Sequence, residues 1–205
     1  MIIIGLTGSI AMGKSVTAEL FRQQGILVHD ADAVVHELYS GPAANLIEQE
    51  FPGVTVDGKV DRNALGKFVI GNPLAMRQLE AIIHPLVAQE RKRFLQEAES
   101  KGVTIVVLDI PLLFETGIDR LCDYVVVVTT MAEIQRERVL SRPDMRAEKF
   151  EKLLASQLSD REKRKRADFI VDSSYGIENA GKQVKELLEA IKAEIRTNDK
   201  SDNRI

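Results

Sequence analysis

The chain has 205 residues and a mass of 22.8 kDa, long enough for one core with one or two small inserts. Charged residues make up 29% and the hydrophobic set 44%, ordinary values for a soluble globular protein. The formal net charge of -3 excludes an overall basic field that would draw the chain to nucleic acid or an anionic membrane.

One cysteine, Cys122, leaves no internal disulfide to form, and its place before "DYVVVV" predicts a small buried side chain. The N-terminus has no basic leading region, and Gly5 and Gly8 break its apolar stretch at once, so no signal peptide is expected. No apolar run approaches the roughly 20 residues needed to span a bilayer. Together these predict a cytoplasmic protein with neither membrane nor nucleic acid as partner.

In chain order, the first element is the strand "MIIIGLT", followed by a helix over Lys14 to Gln24 with Val16, Leu20 and Phe21 on its apolar side. "GILVHD" is the second strand. About seventy residues then separate it from the third, far more than a crossover needs. That interval reads as helical, through "DAVVHELYS", "AANLIEQEF", "RNALGKFVI" and a long segment from Leu74 to Ser100. Its breaks fall at Gly41-Pro42, Pro52-Gly53, Asp57-Gly58 and Gly71-Asn72-Pro73. "VTIVVLDI" and "DYVVVVT" are the third and fourth strands. A second insert from Ser141 to about Lys165 is rich in both charge signs, with Phe150, Leu153, Leu154 and Leu158 on one face. "ADFIVDS" is the fifth strand, a helix spans Ile177 to Ile195, and "TNDKSDNRI" reads as a frayed polar tail.

The strand runs are continuous rather than alternating, as in strands covered on both faces. Strand–helix alternation then predicts an α/β, three-layer domain with a five-stranded parallel sheet. The expected division is a nucleotide-binding core of residues 1–33, 103–140 and 166–205, a helical insert of 34–102, and a lid of 141–165.

"GLTGSIAMGKS", residues 5 to 15, carries Gly8, Gly13, Lys14 and Ser15 at the spacing G-x-x-x-x-G-K-S. Glycines allow backbone N–H groups to turn inward around phosphates. Lys14 places a charge near the outer phosphates, Ser15 offers a magnesium ligand, and the helix that follows points its positive end at the same anion. Asp109, ending the third strand, is placed to hold the Mg²⁺ shell, or else to start a loop or cap a helix.

Asp30 and Asp32, in "HDADAV", end the second strand, and strand carboxyl ends gather around the ligand crevice of an open parallel sheet. A carboxylate there can take the proton of an attacking hydroxyl. Either residue can instead cap the helix that begins there.

"GLTGSIAMGKS", "DADAVVHEL", "DGKVDRNALG", "LEAIIHPLV", "LDIPLLFETG" and "QRERVLSRPDM…ASQLSDREKRKRAD" occur in this order. Together they resemble the dephospho-CoA kinase family, from Ile2 to about Ile195. The resemblance implies a P-loop, nucleotide-kinase-like fold with a helical substrate lobe and a mobile lid. It implies ATP-dependent phosphorylation of the ribose 3′-hydroxyl of dephospho-CoA, with Mg²⁺, in a monomer or small homo-oligomer. It implies that Gly8, Ala11, Met12, Gly13, Lys14, Ser15 and Val16 hold ATP, with Arg142 closing over it, and that Ser15 and Asp109 serve the metal. It implies catalytic roles for Lys14, Asp32 and Arg142 and acceptor-side places for Asp32, His84 and Glu115. Arg138 is a weaker candidate for the work of Arg142. Read without the family, Arg138 and Arg142 are two solvated residues of one charged helix, and His84 before Pro85 is a helix-end histidine.

Two departures stand against the family pattern. Members usually read "GGIGSGK" where this chain has Ser9, Ala11 and Met12, and an alanine held at positive φ is strained by about 1 kcal/mol. The usual Asn-x-Gly after the last strand is here Ser173-Ser174-Tyr175. The competing readings are another small-molecule or nucleoside monophosphate kinase, a GTPase, and a nucleic-acid-binding ATPase. No N-K-x-D sequence supports the GTPase. "REKRKR", residues 161 to 166, is short and interrupted by Glu162, and reads as a solvated face.

Overall fold

In the computed structural model, residues 1–143 and 145–202 are described, with side chains through Thr197. Asp144 of the expected lid and residues 203–205 of the expected tail lie outside the described residues. The elements in order are β1 (Ile2–Thr7), α1 (Lys14–Gln23), β2 (Leu27–Asp30), α2 (Ala31–Tyr39), α3 (Ala44–Glu50), β3 (Thr55–Val56), β4 (Lys59–Val60), α4 (Arg62–Val69) and α5 (Pro73–Ser100). They continue as β5 (Ile105–Asp109), a 3-10 turn (Ile118–Leu121), β6 (Tyr124–Thr129), α6 (Ala132–Leu140), α7 (Ala147–Ala155), α8 (Asp160–Lys165), β7 (Phe169–Asp172) and α9 (Gly176–Asp202).

The five apolar runs all become strands of one sheet, in the order β2-β5-β1-β6-β7. Every residue of β5 is buried, and so is all of β6 after Tyr124, which is why these segments carry no polar alternation. In the parallel register of β1 and β5, Leu6 stands opposite Asp109. The acid therefore emerges level with the root of the phosphate loop. Phe21 and Ala18 of α1 and Val184, Leu188 and Ile191 of α9 pack with Ile4, Leu6, Val107 and Val126 of the sheet in one cluster.

The chain divides into two compact units, residues 1–28 with 103–205 and residues 29–102. The second has a core of its own, in which Leu38, Ile47, Phe51, Leu65, Leu79 and Ile83 are buried together. Asn72 caps α5 by accepting from the amides of Leu74 and Ala75, and Pro73 takes the first helical position.

Four local expectations are corrected. Asp57 and Gly58 both have positive φ, 51° and 73°, and form the tight turn of a β3–β4 hairpin rather than a plain break. Pro85 lies inside α5, so His84 is not at a helix end; the helix runs on without the hydrogen bond that Pro85 cannot donate to Ala81. Arg142 follows the end of α6, with its amide bonded to the Val139 carbonyl at 3.2 Å, and so does not share a helix with Arg138. α9 continues to Asp202, because "TNDKSD" contains no glycine or proline to stop a helix already anchored by its packed turns.

Candidate active site

The loop from Gly8 to Ser15 joins β1 to α1. A Cβ on Gly8 would lie 2.7 Å from the Val128 carbonyl oxygen, so no other residue lets the chain leave the sheet there. Gly13, with φ of 92°, turns the chain into the helix. The amides of Gly13 and of the first residues of α1 have no intrahelical acceptor and form a natural anion seat. Ala11 adopts φ of 61°, the strained geometry anticipated from its replacement of glycine. Its methyl group is buried with Val139 and Phe150, beside Ile10, Met145 and Leu154, and this burial offsets the strain.

Side chains from far along the chain hold the loop's outer turn. Ser173 donates its hydroxyl to the Met12 carbonyl at 2.8 Å. Arg138 donates to Ser173 twice, to Oγ at 2.8 Å and to the carbonyl at 2.9 Å. Gln157 accepts the Ile10 amide at 3.2 Å, and Gln135 donates to the Ile10 carbonyl at 2.8 Å. Arg138 Nη1 stands 3.7 Å from where a Gly13 Cβ would be, so this residue, the weaker of the two arginine candidates, adjoins the loop. Arg142 is exposed, as are Ser15 and Val16. Gly8, Ala11 and Met12 are buried, and Gly13 and Lys14 half-buried.

Lys14 Nζ lies 2.7 Å from Asp109 Oδ1, with the two side chains 12% and 1% exposed. Beyond Asp109, Thr7 and Lys163 both donate to the Pro111 carbonyl, at 2.9 and 3.0 Å. Lys163 is fully buried and forms an ion pair with Glu115 at 3.0 Å. This corrects the reading of "REKRKR" as a wholly solvated face. One turn-facing position of α8 points inward because a carboxylate and a carbonyl are there to meet its ammonium. Glu115 also accepts the Leu158 amide at 2.7 Å. Burial works against ionisation of Glu115, but the amides of Leu158 and Glu115 itself and the Lys163 ammonium outweigh it and hold its pKa below the usual range.

In the second unit, Asp30 is the cap of α2 and accepts the Ala33 amide at 3.0 Å. Asp32, in the first turn, is exposed and has no hydrogen-bonding partner among the described residues. It lines a cavity of ≈ 540 Å³ together with Tyr39 and Arg62 and the apolar Leu65, Val69 and Leu79. His84 is exposed on α5.

Sequence reasoning missed Ser173, Gln135, Gln157 and Lys163 as supports of the loop and its surroundings, and Tyr39 and Arg62 as cavity walls. Ser173 had one available signal, its place at the carboxyl end of the last apolar run. The glutamines had none.

The dephospho-CoA kinase family model matches residues 2–179. A dephospho-CoA kinase of Nitrobacter winogradskyi is 55% identical over 190 residues, covering 93% of this chain and 96% of its own. Among solved structures, the Thermus thermophilus protein TT1252 superposes with a TM-score of 0.78 at 34% identity, covering 94% of this chain and 97% of its own. A dephospho-CoA kinase from Campylobacter jejuni gives 0.66 at 26% identity, covering 92% and 96%. With a phosphate loop on a parallel sheet and similarity running nearly end to end, the chain belongs to the dephospho-CoA kinase family, which phosphorylates the ribose 3′-hydroxyl of dephospho-CoA with ATP in the last step of coenzyme A synthesis.

Proposed function

We propose the following division of labour for that reaction. The phosphates of ATP seat on the amides that open α1, and Lys14 turns from Asp109 to the outer phosphates. The Ser15 hydroxyl and the Asp109 carboxylate are oxygen donors of the type Mg²⁺ accepts. When bound, the metal neutralises charge on the phosphates. Residues 141–165 act as the lid on a core of 1–33, 103–140 and 166–205, and bring Arg142 over the nucleotide, excluding water that would otherwise hydrolyse ATP. Residues 34–102 serve the acceptor. His84 contacts it, and Glu115 shapes its surroundings by bracing the loop after β5. The enzyme works in the cytoplasm as a monomer or small homo-oligomer.

Asp32 takes the proton from the 3′-hydroxyl as the phosphoryl group moves to that oxygen. The observation that carries this assignment is the unequal employment of the two acids: Asp30 is spent on the helix cap, whereas Asp32 is unpartnered on a cavity wall. Asp32→Asn is expected to lower kcat by about a hundredfold or more while leaving ATP affinity unchanged. ADP release with dephospho-CoA measures it, and near-normal kcat in the folded variant removes Asp32 from the role. Running nucleoside monophosphates as acceptors in the same assay tests the substrate choice.

A further inference from the structure

The cavity in residues 29–102 holds more than a general base requires. Its volume of ≈ 540 Å³ is that of a small-molecule site. Of the residues lining it, Asp32 and Arg62 carry charge, and Leu65, Val69 and Leu79 make a buried apolar floor. Arg62 is the first residue of α4. The neighbouring Asp61 does not neutralise it, because that carboxylate is spent capping α4, accepting the Asn63 and Ala64 amides at 2.8 and 3.2 Å. Among the described residues no carboxylate lies within ion-pair distance of Arg62. The guanidinium instead rests 5.3 Å from the centroid of the Tyr39 ring. Burial pushes the Tyr39 pKa up, against a smaller opposite pull from Arg62, so the ring stays a neutral platform.

A guanidinium held by a ring face keeps its N–H groups for an oxyanion, and the ring removes part of the entropy that binding would otherwise cost. Arg62 is exposed, so an oxyanion reaches its guanidinium directly from solvent. The ribose whose 3′-hydroxyl is phosphorylated also carries, at its 5′ position, a diphosphate with two negative charges. We propose that Arg62, positioned by Tyr39, is the subsite for the acceptor's diphosphate, and is what separates dephospho-CoA from an uncharged nucleoside. This rests on the reading that Asp32, on the same cavity, meets the ribose hydroxyl.

The test is a comparison of acceptors in R62A, R62K and Y39L, using dephospho-CoA and adenosine, which offers the same ribose without the diphosphate. The ratio of kcat/KM for dephospho-CoA to that for adenosine is expected to fall about tenfold or more in R62A, carried by KM. R62K should fall between R62A and the parent, since an ammonium keeps the charge and loses the fork. Y39L should show a smaller loss of the same sign. Where adenosine turnover is below detection, dissociation constants from calorimetry give the same ratio. A ratio unchanged in R62A and R62K overturns the proposal, whether or not absolute rates fall. D32N separates the two readings. If it loses kcat on both acceptors while R62A keeps the parent ratio, the subsite falls alone; if R62A loses the ratio while D32N turns over normally, the base assignment falls alone.

Discussion

Lys14 and Asp109 are joined by a 2.7 Å ion pair although 95 residues separate them. The parallel register of β1 and β5 brings the two strand ends level, so the phosphate loop's lysine meets a carboxylate there. The partners differ in exposure, and the consequences of removing each should differ too. Lys14→Ala takes the ammonium from beside a carboxylate that is 1% exposed and should lower stability. Asp109→Asn should cost less, because the lysine it leaves is 12% exposed and can turn to water. Both should abolish most turnover. Urea unfolding of the two variants checks the ranking, and equal losses would mean that burial does not govern the pair.

Ser173 ties the Met12 carbonyl and two Arg138 bonds into one unit at the loop. Ser173→Ala removes the hydroxyl and lets that turn of the loop relax. KM for ATP should rise about tenfold, the effect of about 1.5 kcal/mol from hydrogen bonds involving a charged group, while KM for dephospho-CoA stays put. Initial rates with each substrate varied in turn decide it. A fall in thermal midpoint with both KM values unchanged would make Ser173 structural only.

The Glu115–Lys163 pair predicts a second asymmetry. Glu115→Gln leaves a fully buried ammonium and should cost about 3–5 kcal/mol, whereas Lys163→Met leaves a carboxylate that is 19% exposed and should cost less. The folded pKa of Glu115 is depressed, so its contribution is present above the unfolded value near 4.5 and is lost as pH falls through the folded value. The Glu115→Gln variant should therefore lack part of the parent's acid destabilisation below about pH 4.5, as denaturant midpoints across that range would show.

His29 is buried and stacks on Phe94 at 5.2 Å, and its Nε2 has no hydrogen-bond partner among the described residues. Burial, then the nearby Arg91 charge, pushes its pKa down, against weaker opposite pulls from Asp30 and Glu90. The unfolded chain thus takes up the proton first, so stability is full above the unfolded value of 6.5 and declines as pH falls below it. His29→Phe keeps the stacked ring and removes the titration. The difference between denaturant midpoints at about pH 7.5 and about pH 5.5 should shrink in this variant, and an unchanged difference would assign the slope to other groups.

Local patterning carried much of this protein into view. Continuous apolar runs mark all five sheet strands; β5 and β6, inside the sheet, have no place for polar alternation, whereas the edge strands β2 and β7 keep exposed apolar residues such as Leu27 and Ile170. The loop from Gly8 to Ser15 is readable because phosphate binding imposes requirements on consecutive residues. The pair Asp30 and Asp32 was visible as a cap and a candidate base, with Asp32 named for the base only through the resemblance; the hydrogen bond from the Ala33 amide shows that Asp30 is the cap.

What only the tertiary structure decided are relations between residues distant along the chain. The place of Ser173 at the end of the last apolar run does not say that its hydroxyl will reach a carbonyl 161 positions earlier, and nothing in "REKRKR" shows which lysine turns inward. Arg62 and Tyr39 meet because α2 and α4 pack in one small core. Periodicity and spacing record the preferences of neighbours, which backbone geometry enforces over a few residues. The contacts that hold the loop and build the cavity depend on strand order and helix packing, and those follow from burying the whole set of apolar faces at once.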